Sequence, residues 1–348
     1  MKKSKLLVLA VAFLFPATVA AQQYNFQQLP DEASGISNAG TVLVGGRLWQ
    51  GGQLTYPPLD ASASGIGADG SVAGSLGASA AVWQNGTVTL LPPFQVSPDA
   101  SAVAMAVNSG GVAVGSSTDD SGTRAVQWSG GTPLDLSAFT GGAASAAVAI
   151  NDAGQVVINA SPDQFLAADR TDQSFVYQNG NVSNITPASA TGSYAYAING
   201  SGGVVGTAYS ADGTGLAFKW QSGQTELAQS LFPSISGINV ATAINASGDA
   251  VGFFMGNDPR DFTAFLWQNG GAPIDLNTLI TPIPGLHLYA ALGINDSGQI
   301  VGGATMNGVP EGFVLTPVVS SSAFVPEPAS LTVLALGATA LLRRRRKR

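Results

Sequence analysis

The stretch Gly293-Ile-Asn-Asp-Ser-Gly-Gln-Ile-Val-Gly302 holds the pattern on which the fold turns. A strand ends on an apolar residue, Asn-x-x-Gly follows, and a Val- and Gly-rich strand leaves. Asparagine bonds its own backbone to start a turn, and glycine supplies the positive φ that closes a hairpin with a bulge. The plan recurs at 106–115, 149–157, 197–206 and 243–252; 35–45 fits it, and 65–74 is a worn copy with Gly67 where Asn is expected. The turn glycines Gly40, Gly70, Gly111, Gly154, Gly202, Gly248 and Gly298 are spaced by 30, 41, 43, 48, 46 and 50 residues.

A second element follows each first one. It reads Ala264-Phe-Leu-Trp-Gln-Asn-Gly270, Ala81-Val-Trp-Gln-Asn-Gly86, Phe175-Val-Tyr-Gln-Asn-Gly180 and Ala217-Phe-Lys-Trp-Gln-Ser-Gly223, with further copies at 124–130 and 48–52. Trp49, Trp83, Trp128, Tyr177, Trp220 and Trp267 share one place, and Asn-Gly or Ser-Gly again marks a tight hairpin. An aromatic recurring once per unit is core packing between units, so its use as a sugar-stacking platform is the secondary reading. Each unit is two hairpins in about 43 residues, the period of a four-stranded propeller blade.

The expected fold is therefore all-β: a seven-bladed β-propeller over 22–318. The seventh unit stops at Gly312-Phe-Val-Leu-Thr-Pro317 without a fourth strand, and Tyr24-Asn-Phe-Gln-Gln-Leu-Pro30 resembles the missing one. Pairing there closes the ring and caps an edge that would otherwise template aggregation. A linear solenoid is the alternative, and it leaves these two segments apart. The units also resemble bacterial extracellular repeats named for a His-Ala-Phe signature (HAF repeats). Ala217-Phe218 and Ala264-Phe265 match it, but Leu216 and Thr263 stand where the His is expected, so no role of that His carries over.

The two ends read differently from the interior. Residues 1–21 have the three parts of a secretory signal: Lys2, Lys3 and Lys5, an apolar run of ten, and a small-residue exit before Gln22. Ten apolar residues are too few to span a core of about 30 Å. After a linker at 319–324, residues 325–348 hold Val325-Pro-Glu-Pro328, a 14-residue apolar stretch and Arg343-Arg-Arg-Arg-Lys-Arg348. That stretch would be a single short transmembrane helix of about 21 Å, its arginines reaching the headgroups and keeping the C-terminus cytoplasmic. A plain weak anchor is the simpler alternative.

The tail resembles the PEP-CTERM sorting signal of Gram-negative, exopolysaccharide-producing bacteria. The resemblance implies that Pro326, Glu327 and Pro328, with Val325 before them and Arg343, Arg344, Arg345 and Arg346 behind the helix, are recognised by an exosortase. They are then substrate residues and not catalytic ones. Two prolines around Glu327 hold it extended, as a segment entering a protease cleft must be.

Composition and charge narrow the function. The chain has 348 residues with 10% charged, 44 Gly, one His and no Cys, which removes disulfides, thiolate metal sites and Cys nucleophiles. Between 22 and 325 five basic residues, Arg47, Arg124, Arg170, Lys219 and Arg260, face twenty carboxylates, a formal net charge of −15. Such a surface repels nucleic acid and anionic lipid.

Chemistry on a propeller belongs to variable loops on a rigid scaffold. The loops between second and third strands carry Asp119, Asp120, Asp163, Asp212, Asp258 and Asp261, candidates for a ligand or calcium site. No loop has the spacing of a dedicated calcium loop, and aspartate as turn former and solubilising charge is the plainer reading. His287 lies among Leu286, Leu288 and Tyr289, which reads as an ordinary strand, and no nucleophile elbow accompanies it. Two loop acids brought together would suit glycoside cleavage. The expectation is a non-enzymatic binding or structural module without a required cofactor, exported and transiently membrane-anchored. It acts at the cell surface or in a biofilm matrix, with polysaccharide or a surface protein as partner. A glycan-active hydrolase or lyase on the same scaffold is the alternative.

Overall fold

The computed structural model describes residues 23–318, except 60–62, 96, 164–170, 234–235, 257, 259–261 and 269–270. The expected signal peptide, transmembrane helix and sorting tail lie outside these residues. Among the described residues no helix is long and apolar enough to cross a membrane. Helix there is confined to two 3-10 turns, Ser137–Phe139 and Leu276–Leu279.

The remaining regular structure is strand, in antiparallel four-stranded arrays taken here in chain order. The first contains Ala33–Ile36, Val42–Val44, Arg47–Gln50 and Gln53–Thr55. The second contains Gly65–Ile66, Val72–Leu76, Ser79–Gln84 and Thr87–Leu91, and the third Ser101–Val107, Ala113–Asp119, Gly122–Ser129 and Thr132–Asp135. The fourth contains Ala144–Ile150, Val156–Ser161, Gln173–Gln178 and Asn181–Asn184. The fifth has Gly192–Ile198, Val204–Tyr209, Gly215–Gln221 and Gln224–Leu227; the sixth has Gly237–Ile244, Ala250–Gly256, Phe262–Trp267 and Ile274–Asp275. A parallel bridge from Gly215 to Ile238 joins these two into one sheet. The last array contains Leu286–Ile294, Ile300–Met306 and Val309–Pro317, and its fourth strand is Tyr24–Leu29. That N-terminal strand pairs antiparallel with the third, Tyr24 opposite Pro317 and Leu29 opposite Gly312.

The repeated motifs are hairpins, as read. In the first hairpin of the third array Asn108 Oδ1 accepts the Val112 N–H at 3.0 Å, and Gly111 follows at φ 76°. The second hairpins turn on pairs such as Asn85-Gly86, with φ of 50° and 79°, the double positive φ of a type I′ turn. The glycine of the Val-Gly strand has its own cause. The first strand bulges between Ala241 and Ala243, and a Cβ at Gly252 would overlap the Val240 carbonyl oxygen. Where Gly67 replaces the asparagine, Asp69 takes over: its carboxylate accepts the Ser71 N–H at 3.0 Å and the Ser71 hydroxyl at 2.7 Å.

The turn asparagine does more than make its turn. Asn108 Nδ2 donates to the Asn151 carbonyl (3.2 Å), Asn151 to Asn199 (3.0 Å), Asn199 to Asn245 (2.9 Å) and Asn245 to Asn295 (3.4 Å). Asn295 Nδ2 then donates to the Ser37 carbonyl of the first array at 3.1 Å. The first array reaches the second through the Asn38 N–H and the Ala68 carbonyl, 2.9 Å.

Side chains pack between arrays in the same order. Along each third strand the recurrent aromatic faces the preceding array and the residue before it faces the next. Trp128 lies between the second and third arrays, Tyr177 between the third and fourth, and Trp267 between the fifth and sixth. Trp49 packs with Leu29, Val301 and Val314 of the last array and Ala33, Val42 and Val44 of the first. Leu315 holds the aromatic position in the last array. Trp128 and Trp267 are fully buried, and their Nε1 atoms donate to the carbonyls of Pro92 (2.8 Å) and Gly271 (3.0 Å). Trp128, Tyr177 and Trp267 are thus inter-array core, while Trp49, Trp83 and Trp220 are half-buried at the same boundaries.

Replacing Asn199 tests the asparagine link. Asn199→Ala removes one bond to the next array and leaves the Gly203 N–H, which Oδ1 accepts at 2.8 Å, without its partner. The expected loss is about 1–3 kcal/mol in urea denaturation, whereas an unchanged midpoint would show that the link adds nothing.

Candidate functional site

Among the described residues the loop acids do not converge. Asp119 Oδ1 accepts the Ser121 N–H at 2.7 Å and both its oxygens meet Arg124 at 3.2 Å. The Ser121 N–H, aided by Arg124, holds this carboxyl below the usual range. Arg124 also reaches Asp135 at 3.4 Å and lies 5.5 Å above the Phe94 ring. Asp120 is exposed in the adjoining turn. Asp212 accepts the Thr214 N–H (3.0 Å) and hydroxyl (2.8 Å), an Asx turn. The Asp163 N–H donates to Ser161 Oγ at 3.2 Å, and Asp258 is exposed in a bend. Asp261 lies outside the described residues, as do Val325, Pro326, Glu327, Pro328 and Arg343 to Arg346. Among the described residues no three His, Asp or Glu side chains form a group able to hold a metal ion. His287 is a ladder residue opposite Thr305, its Nε2 2.7 Å from the Phe262 carbonyl.

The chemistry gathers elsewhere, on the face where the asparagine turns lie. Between the fifth and sixth arrays a groove of about 730 Å³ is lined by Asn199, Ser201, Lys219, Trp220, Gln221, Gln224, Thr225, Glu226 and Ser247. Trp220 also borders a second hollow of about 520 Å³ with Ser183, Asn184, Thr186 and Thr225. The Gln224–Leu227 strand is exposed throughout and presents Gln224 and Glu226 along the groove.

Lys219 sets this groove apart from the other array boundaries. It occupies the position before the aromatic, where the other arrays carry Leu48, Val82, Gln127, Val176, Leu266 and Val314, and it is the sole lysine between 22 and 325. Alternation turns it toward the sixth array. There its Nζ donates to the Trp267 carbonyl at 3.0 Å and stands 4.4 Å from the Trp267 ring, with Glu226 directly across the strand pair. Burial pushes its ammonium down to about 8, against the opposing pull of Glu226 and Asp249. A charged group at an apolar boundary position is costly, which makes Lys219 a candidate site residue. The sequence reading passed over it because it sits inside the aromatic motif. The signal was there: a lysine at a position otherwise filled mainly by Leu or Val.

Residues 324–347 match the PEP-CTERM protein-sorting motif. The motif implies export, sorting to the surface of a Gram-negative bacterium and processing by an exosortase. A search of curated proteins finds no match. Among solved structures the chain is similar to the β-propeller domain of the Trilobed protease from Pyrococcus furiosus, with 10% identity and a TM-score of 0.47, covering 86% of this chain and 99% of that one. It is similar to TolB from Acinetobacter baumannii at 9% identity and a TM-score of 0.42, covering 84% of this chain and spanning 63% of TolB. XC5397 from Xanthomonas campestris, a gluconolactonase, is similar at 12% identity and a TM-score of 0.42, covering 87% of this chain and 93% of that one. Among the described residues the fold is all-β, in antiparallel four-stranded arrays.

Lys219 gives a pH signature. Well below pH 8 the folded and unfolded chains both carry its proton, and the fold bears the cost of the buried charge. Between about 8 and the ordinary 10.5 the unfolded chain keeps the proton while the folded chain sheds it, so this cost is relieved as pH rises. Lys219→Met lacks the effect. Its melting temperature relative to the parent is expected to be most favourable near pH 7 and to fall back steadily as pH rises above 8. A difference independent of pH would contradict the assignment.

Proposed function

We propose that the chain is a seven-bladed propeller, its ring completed by Tyr24–Leu29, that works without catalysis as a saccharide-binding module of the cell surface or exopolysaccharide matrix. Support for the ring comes from the link between the last array and the first: Asn295 donates to Ser37, and Asn38 Nδ2 donates to Asp296 at 2.7 Å. The HAF resemblance and a transient membrane anchor before exosortase processing belong to the same reading.

The groove at Lys219 carries the functional proposal. Its lining of amides, hydroxyls and one lysine–glutamate pair suits a ligand with many hydroxyls, and Trp220 at its border turns its indole to the adjoining hollow on the side of the fourth array. Planar amides and carboxylates take paired hydroxyls, while an indole covers the C–H face of a sugar ring. The position suits a protein sorted outward, because the groove opens on the rigid hairpin face and needs no moving part to admit a polymer.

A glycan array probed with the exported protein tests this. Binding without product release is expected, and Trp220→Ala and Gln224→Ala should each weaken it by roughly tenfold, a loss of about 1.4 kcal/mol. Turnover abolished by Glu226→Gln would replace the binding module with a glycan-active enzyme. Binding untouched by both substitutions would remove the groove from the account.

A further inference from the structure

Every array sends the end of its first strand to one place. Ile36, Ile66, Val107, Ile150, Ile198, Ile244 and Ile294 close those strands, and all of them line a single funnel of about 370 Å³. Met105, Val148 and Tyr196 line it as well. Each array thus contributes one β-branched aliphatic residue to a mixed lining that also holds Asn108, Asn151 and Asn199, and the volume falls within the range of small-molecule sites, roughly 300–1,000 Å³.

The rim is formed by the residue that follows each turn asparagine or its counterpart. Two of these are charged, Asp152 and Asp296, and no lysine or arginine lines the funnel. Both carboxylates are held by the neighbouring array. Asp152 Oδ1 accepts the Ser109 N–H at 2.9 Å. Asp296 Oδ1 accepts the Ala246 N–H at 2.8 Å, and its Oδ2 accepts from Asn38 Nδ2 at 2.7 Å. Carboxylates pinned in this way need little reordering when a ligand arrives.

We propose that the funnel binds a small organic cation, an alkylammonium whose apolar stem enters the aliphatic ring and whose ammonium meets the acidic rim. The stem covers the aliphatic part of this lining, and the head gains from two fixed negative charges. An anion of equal size is repelled by the same two groups and by a domain of net charge −15. The site adjoins the groove at Lys219, with Asn199, Ile244 and Ala246 lining both, but its argument does not rest on a ligand in that groove.

Calorimetric titration of the exported protein with n-hexylammonium, n-hexanoate and n-hexanol tests the assignment. These share a stem and differ in head charge. Hexylammonium should bind more tightly than the other two by roughly tenfold or more, and Asp152→Asn should remove most of that preference. Ile198→Phe, which fills the funnel, should abolish binding while the melting temperature shows the fold intact. Equal binding of the three probes, an unchanged preference in Asp152→Asn, or no binding by any probe would overturn the proposal.

Discussion

The carboxamide of the turn asparagine is the interaction on which this architecture rests. Its oxygen accepts an N–H of its own hairpin, and its nitrogen donates to the backbone of the next array. One side chain thus fixes a local turn and a long-range contact with rigid geometry, and the donor would be a buried orphan if the neighbouring array were displaced. Leaving such a group unmade costs more than making it gains. A missing link therefore acts on both of the arrays it joins.

The third strands do the rest of the joining. Most present an aromatic backward and an aliphatic residue forward, so adjacent arrays share a core on both sides. Ion pairs contribute little: among the described residues there are three, and Arg124 makes two of them. For an acidic chain with few cations this division of labour is physical necessity. Apolar interlock and backbone-directed amides hold the arrays, leaving surface charge to keep the protein dispersed. Lys219 is informative against this background, since it puts an ammonium where the pattern calls for an aliphatic residue.

Much of the fold was legible in the residues because its signals are local. Asn-x-x-Gly, Asn-Gly and the recurrent aromatic each act within a few residues, and their recurrence places the hairpins. The partner of Tyr24–Leu29 was legible from the missing fourth strand of the last unit. The second use of the asparagine was not, because nothing local shows where Nδ2 points once Oδ1 is used. The loop aspartates attracted a ligand reading, yet those at 119 and 212 accept hydrogen bonds from residues two positions on, as turn formers do. Lys219 escaped because its meaning depends on which side of the third strand faces the next array, and alternation read from Trp220 would have supplied that.

Native-state hydrogen exchange on Tyr24–Leu29 and Val309–Pro317 tests ring closure most directly. The account predicts that paired amides in both strands exchange only with global unfolding, at the same free energy as the first strands that line the funnel. Free exchange of the Tyr24–Leu29 amides in a protein otherwise protected would contradict it.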